Sequence, residues 1–273
     1  MHLESLHIYP VKSLRGLSPD SVEIDTLGAS CDRRFMVVDP EGTFMTQRTW
    51  PQMARVGAWV DRTSLGLTSD GFGGIRVGLM PDPAAPRVTV RIWKSGDLKA
   101  EDCGGEASAW LSRVIGTACR LVRIGPDFCR PLPKAAARPG DVVAFADAVP
   151  FLVIGRSSLD CLNDRIVGAG GEAVPMNRFR PNLVIEGSGP FEEDTWSRIR
   201  VGSIVFRSVG PCVRCLVPTT DQLTGVRGTE PMRTLATFRR DTREPTHVNF
   251  GQNLVHETMA GMLRVGDPVE ILQ

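Results

Sequence analysis

The sequence predicts a mainly β chain with some α, an α+β protein in two parts whose sheets curve into barrel-like forms. Three observations carry that prediction. Short apolar runs separated by turn residues recur through the first hundred residues. Gly and Pro number 28 and 20 of 273 residues and are scattered, which favours many turns and short strands. The second half alternates strand-like and helix-like runs without the regular repetition of a doubly wound sheet.

The elements follow in order. Leu3, Leu6 and Ile8, then Val22 and Ile24, mark two short strands. Arg34–Val38 runs into the turn Asp39-Pro40-Glu41-Gly42, and Thr43–Thr46 resumes as the return arm of a hairpin. Val88, Val90 and Ile92 alternate with Thr89, Arg91 and Trp93, the period of a half-buried strand. A helix is predicted from Glu106 to Ile115 with Gly116 as its stop. Pro126–Gly140 carries four prolines and reads as the connection between the parts, giving domains over 1–125 and 126–273. Beyond it, Phe151–Ile154 reads as a buried strand, and Ser157-Ser158 as the cap of a helix reaching Ile166. Asn182–Glu186, Ile204–Phe206, a helix over Met232–Arg239, a strand near Leu254 and the run Leu263–Leu272 complete the chain.

Composition excludes several classes of function. A net charge of +1 gives no broad attraction to nucleic acid or to an anionic membrane. The most apolar stretch, Val142–Ile154, is broken by Asp147 and Pro150 and is too short to span a bilayer. Seven cysteines without regular spacing suggest no disulfide framework, and the first residues show no signal peptide, so a cytoplasmic location is expected. All but four of the 32 cationic residues are Arg, which fits either Arg-favouring codon usage or bidentate contacts to phosphate and carboxylate.

Common catalytic motifs fail on their context. No P-loop, G-x-S-x-G elbow or H-E-x-x-H occurs. Gly168–Ala173 matches G-x-G-x-x-A, but it follows a predicted helix and precedes Pro175, so it reads as a turn. Cys212-Val213-Arg214-Cys215 lacks two further zinc ligands, because His247 and His256 have the wrong spacing. The same pair lacks the strand-to-helix setting of a redox dithiol. Cys215 nevertheless sits in a Pro-flanked loop beside Arg214, and a nearby guanidinium favours the thiolate that binds a soft metal. A metal arriving inside an organic cofactor needs only one such sulfur. The competing reading is a pair of buried free thiols.

Tyr9-Pro10-Val11-Lys12-Ser13, Asp32-Arg33-Arg34-Phe35, Gln47-Arg48 and Asp102–Glu106 resemble, in order, the opening motifs of the molybdenum-cofactor sulfurase C-terminal (MOSC) family. Asn177–Val184 with its Arg180-Pro181-Asn182, Phe191–Trp196, Pro211–Cys215, Thr220-Asp221 with Thr224-Gly225, Phe250–Asn253 and Val265–Val269 continue the likeness almost to the end. It is to the two-part members of that family, the mitochondrial amidoxime-reducing component and its bacterial relatives.

The resemblance implies a β-barrel-like MOSC domain joined to an N-terminal β-rich one, with the molybdenum cofactor, a molybdopterin, held between them. It implies Cys215 as the protein ligand of molybdenum and Cys212 as a neighbour without that role. Lys12, Ser13, Arg34, Arg180 and Asn182 fall on positions that help hold the pterin and its phosphate. The implied activity is reduction of small N-hydroxylated substrates: amidoximes, hydroxylamines and N-hydroxylated bases. Electrons would come from a separate protein of ferredoxin, flavoprotein or cytochrome type, with neither nucleic acid nor membrane as partner. The alternatives are a cofactor carrier or storage protein, and a sulfur-transfer domain carrying a persulfide on Cys215. Asn253 departs from the aromatic residue of the animal proteins.

Overall fold

Phe151–Gly155 is apolar throughout because both of its faces are covered, as the computed structural model of residues 1–272 shows. Phe151 and Val153 point into one core with Leu3, Leu183, Phe206 and Leu254. Leu152 and Ile154 point into another, beneath Leu159, Leu162 and Ile166 of the helix Arg156–Gly168. That helix makes the crossover to Leu183–Glu186, which pairs parallel to Phe151–Gly155.

These strands belong to a seven-stranded sheet ordered His2–Leu6, Leu183–Glu186, Phe151–Gly155, Asn249–His256, Ile204–Val213, Arg198–Val201, Val269–Ile271. Its two edges meet. His2 bridges Pro268, and backbone bonds run from Leu3 N to Asp267 O (2.9 Å) and from Val269 N to Met1 O (3.1 Å), so the sheet nearly closes into a barrel. The first strand therefore lies in the C-terminal core, and Ser21–Asp25 pairs with Gly261–Arg264 in the same way. The expected cut at residue 125 separates the sequence but not these cores.

The remaining N-terminal residues build a second body. Phe35–Val38, Arg120–Ile124, Asp97–Asp102 and Arg87–Arg91 form one sheet; Gly57–Val60, Ser64–Ser69 and Gly73–Gly78 form another. The helix Gly105–Ile115 packs Trp110 and Leu111 against this core and ends at Gly116 (φ 82°), whose N–H donates to Ser112 O, as the glycine stop predicts.

Three local expectations need correction. Thr43–Thr46 does double back, but it forms a single bridge (Val38 to Phe44) rather than a strand. Ser157 and Ser158 lie inside their helix; Gly155 takes the cap position, while Ser158 Oγ donates to buried Glu193. Leu263–Leu272 splits into two strands that join different sheets. The segment expected as a connection holds no strand or helix between Ile124 and Phe151 and crosses the seam between the two bodies.

Candidate functional site

A cleft of about 330 Å³ opens at that seam. Lys12, Ser13, Arg33, Arg48 and Trp93 come to it from the N-terminal part, and Arg180, Asn182, Arg214 and Cys215 from the C-terminal part. Lys134 and Asp147 come from the connecting segment. Six cationic side chains thus face one carboxylate, Asp147, among the described residues. Asp147 and, on Arg33, Asp32 offset part of this charge; the remaining guanidinium and ammonium groups suit an anion.

The backbone is bent to build it. Ser13, Arg33, Trp93 and Arg180 all adopt positive φ (66°, 48°, 50° and 57°), the left-handed region that non-glycine residues seldom occupy. Such strain persists only where surrounding contacts overdetermine it, and it collects at functional sites. Here the contacts are plain. The Arg33 and Arg180 guanidiniums lie 4.4 and 4.1 Å from the Tyr9 ring centroid. Arg33 also donates to Asp32 (2.6 Å) and to Asn182 Oδ1 (3.1 Å), and Arg180 donates to Leu14 O (2.7 Å). Burial pushes Arg180 down to about 10 and the Tyr9 phenol, which donates to Pro181 O, up to about 12.

Lys12 is buried at 4% exposure, and Nζ donates to Phe145 O (2.9 Å) and to Asp147. Burial pushes its ammonium down to about 8, against the pull of Asp147. Burial works to raise the Asp147 carboxyl, but Lys12 and Arg48 overcome it and hold the group well below the usual carboxylate range. Arg48 donates to the other Asp147 oxygen (2.7 Å) and also faces Cys215; these two partners outweigh burial and raise its pKa. Arg130, wholly buried, donates to the carbonyls of Ala144, Ala146 and Asp147 and so fixes the segment that carries Asp147.

Cys215 reaches the cleft because strand Ile204–Val213 breaks register twice against Asn249–His256, after Ser208 and after Pro211, with Gly210 at φ 102°. Bulges of this kind re-aim the residues that follow them. The thiol's neighbour differs from the expected one. Arg214 donates to Cys212 Sγ (3.0 Å) and Phe179 O (2.7 Å), so the guanidinium beside Cys215 is that of Arg48. Across the seam, Gln47 and Gln222 exchange reciprocal amide bonds of 3.0 Å, while Gln47 also holds Ser13 O.

Of the residues expected at the site, Lys12, Ser13, Arg180, Asn182 and Cys215 line the cleft. Asn182 does so with its amide engaged, accepting from Leu152 N and Arg33 and donating to His7 O. Arg34 is the exception. It bonds Asp25 (2.6 Å) and Ala29 O (3.2 Å) outside the cleft, because the backbone reversal at Arg33 turns it away and presents Arg33 instead. Asp147 and Trp93 stand in no motif of the sequence; Trp93 shows itself only as a large aromatic at the end of an alternating strand.

A barrel-forming C-terminal part, a β-rich N-terminal part and, between them, a cationic cleft lined by the Cys212 and Cys215 thiols define a two-domain β protein with a site suited to an anionic group. Residues 1–118 match the MOSC N-terminal beta barrel domain and residues 140–270 match the MOSC domain. The chain belongs to the MOSC family in its two-part form. It is 34% identical to mitochondrial amidoxime-reducing component 1 of Mus musculus, over 98% of this chain and 81% of that protein. The Homo sapiens protein of the same name is 31% identical over 98% of this chain and 82% of its own length. Molybdenum cofactor sulfurase of Danio rerio is 32% identical over 94% of this chain, which spans 32% of that protein. No helix among the described residues is long and apolar enough to cross a membrane.

The cleft fits a molybdopterin on its own chemistry. Its phosphate carries close to two negative charges, which the six cations can meet, and the buried Nε of Arg214 has no partner yet. No group of three or more His, Cys, Asp or Glu side chains stands ready for a bare metal ion among the described residues. A metal bringing its own organic ligands needs only one thiolate, and two thiols, Cys212 and Cys215, line the cleft.

Proposed function

We propose that this protein is a molybdenum-cofactor-dependent reductase of N-hydroxylated compounds, supplied with electrons by a separate protein. The observation that carries the reading is the thiol of Cys215 at one wall of a cleft where six cations outnumber one carboxylate, the second thiol there, Cys212, being engaged by Arg214. Cys215 would ligate the metal; Lys12, Arg33 and Arg180 would hold the phosphate and pterin, with Ser13 a neutral donor and Asn182 orienting Arg33. When bound, the group supplies two-electron transfer that removes oxygen from an N–O bond. The chain supplies position and field. Arg48 places positive charge beside Cys215. Lys12 Nζ holds a proton at neutral pH beside Asp147 in the cleft.

A ferredoxin, flavoprotein or cytochrome would serve as donor. The seven free thiols suit a reducing compartment such as the cytosol, and cell fractionation decides between it and the mitochondrion named for the relatives. Protein from a cofactor-competent host should carry close to one molybdenum per chain. Cys215→Ser should lose the metal and benzamidoxime reduction together, and wild-type metal in that variant would remove the ligand assignment. The likeness to a molybdenum cofactor sulfurase favours a second reading, a persulfide on Cys215. Intact mass showing one added sulfur without molybdenum would select it. Metal content of one per chain without any reductase activity would instead select a carrier.

A further inference from the structure

Trp93 combines two features that run against an aromatic side chain's ordinary preferences. It follows strand Arg87–Arg91 in a left-handed conformation (φ 50°), which a bulky residue seldom adopts. It is 53% exposed, although a buried indole would be more stable. Its ring is nonetheless held firmly: Phe44 packs on it at 4.8 Å, the Arg48 guanidinium lies 4.8 Å from its centroid, and Nε1 stands 3.4 Å from Asp147. The same Arg48 faces Cys215. The other aromatic ring lining the cleft, Phe151, is buried at 1% exposure, so Trp93 is its open aromatic surface among the described residues.

We infer that the open surface of Trp93 is the wall against which a flat, conjugated substrate packs. Within the N-hydroxylated class, the site therefore favours aryl amidoximes and N-hydroxylated nucleobases over aliphatic amidoximes and hydroxylamine. The identity of the N–O group rests on the reductase reading above; the aromatic contact does not. Aromatic rings attract one another through offset and edge contacts beyond the area they bury, and stacking tolerates any ring with a π face. Asp147, with its side chain 43% exposed beside the indole N–H, can accept from the amino group next to the N–O bond. Aryl and alkyl amidoximes both carry that amino group, so the discrimination between them falls to Trp93.

The test is equilibrium binding by calorimetry to cofactor-loaded protein. Benzamidoxime should bind wild type about tenfold tighter than acetamidoxime, the size of a good stacking contact. Trp93→Leu should bring that ratio to about twofold, while Trp93→Phe should keep most of it. An unchanged ratio in Trp93→Leu, or no preference in wild type, overturns the inference. Should the leucine variant fail to fold, wild type alone decides. Benzamidoxime should exceed cyclohexanecarboxamidoxime, similar in size but not flat, by several-fold, and equal affinities overturn the inference. Binding that follows this pattern in protein that reduces none of these compounds keeps the aromatic wall and removes the reductase reading.

Discussion

Lys12 and Asp147 join the opening motif of the chain to the segment that crosses its seam, with Nζ of the buried lysine donating to a carboxylate that Arg48 holds from the other side. The charge of the cleft depends on this pair. Folding lowers the lysine from 10.5 to about 8, chiefly by burial. Between those values the unfolded chain keeps a proton that the folded chain has released. This group's contribution to stability is therefore smallest below pH 8 and rises as pH climbs towards 10.5.

Anion retention should run the opposite way. As pH passes about 8 the cleft loses one positive charge, and molybdenum per chain after dialysis should fall. Lys12→Met should retain less cofactor than wild type below pH 8, with no change of its own through this interval. A wild-type profile as flat as the variant's would show that Lys12 does not hold the anion.

Arg33 and Arg34 should separate cleanly in mutation. Arg33→Ala removes the guanidinium that reaches Asp32, Asn182 and the Tyr9 ring, and should lower cofactor content several-fold. Arg34→Ala removes bonds to half-exposed Asp25 and to Ala29 O. It should cost about 1 kcal/mol of stability by urea unfolding and leave cofactor content unchanged. Loss of cofactor in the second variant alone would reverse the assignment.

Arg130→Met should be among the most destabilising changes near the site. It leaves the carbonyls of Ala144, Ala146 and Asp147 without their donor in a buried place. A loss of about 3 kcal/mol is expected, measured by denaturant midpoint. The variant should also bind cofactor poorly, because Asp147 then has no fixed backbone to present it to Lys12.

Much of the architecture was legible because it follows from pattern. The helix Gly105–Ile115 with its glycine stop, the alternating strand Arg87–Arg91 and the doubly buried Phe151–Gly155 each satisfy one simple periodicity. The sheet Gly57–Gly78 was not legible, since glycine weakens strand propensity and Gly66 answers a tertiary demand. A Cβ there would lie 1.9 Å from the Trp59 ring. The site divides along the same line. Lys12, Arg180 and Cys215 stand in recognisable motifs. The choice of Arg33 over Arg34, and of Arg48 over Arg214 as the partner of Cys215, depends on left-handed turns and strand bulges that leave no periodic trace. Asp147 and Trp93 come from segments without a motif, and only folding brings them together.

The strand His2–Leu6 has its ladder partner in Leu183–Glu186 and its seam partner near Pro268, both far along the chain. During synthesis it has nowhere to dock until most of the polypeptide has emerged. Leu3 and Leu6, both buried in the finished fold, stay uncovered in the interval. A fragment that begins after it would expose the unpaired edge of Leu183–Glu186 and should aggregate rather than fold.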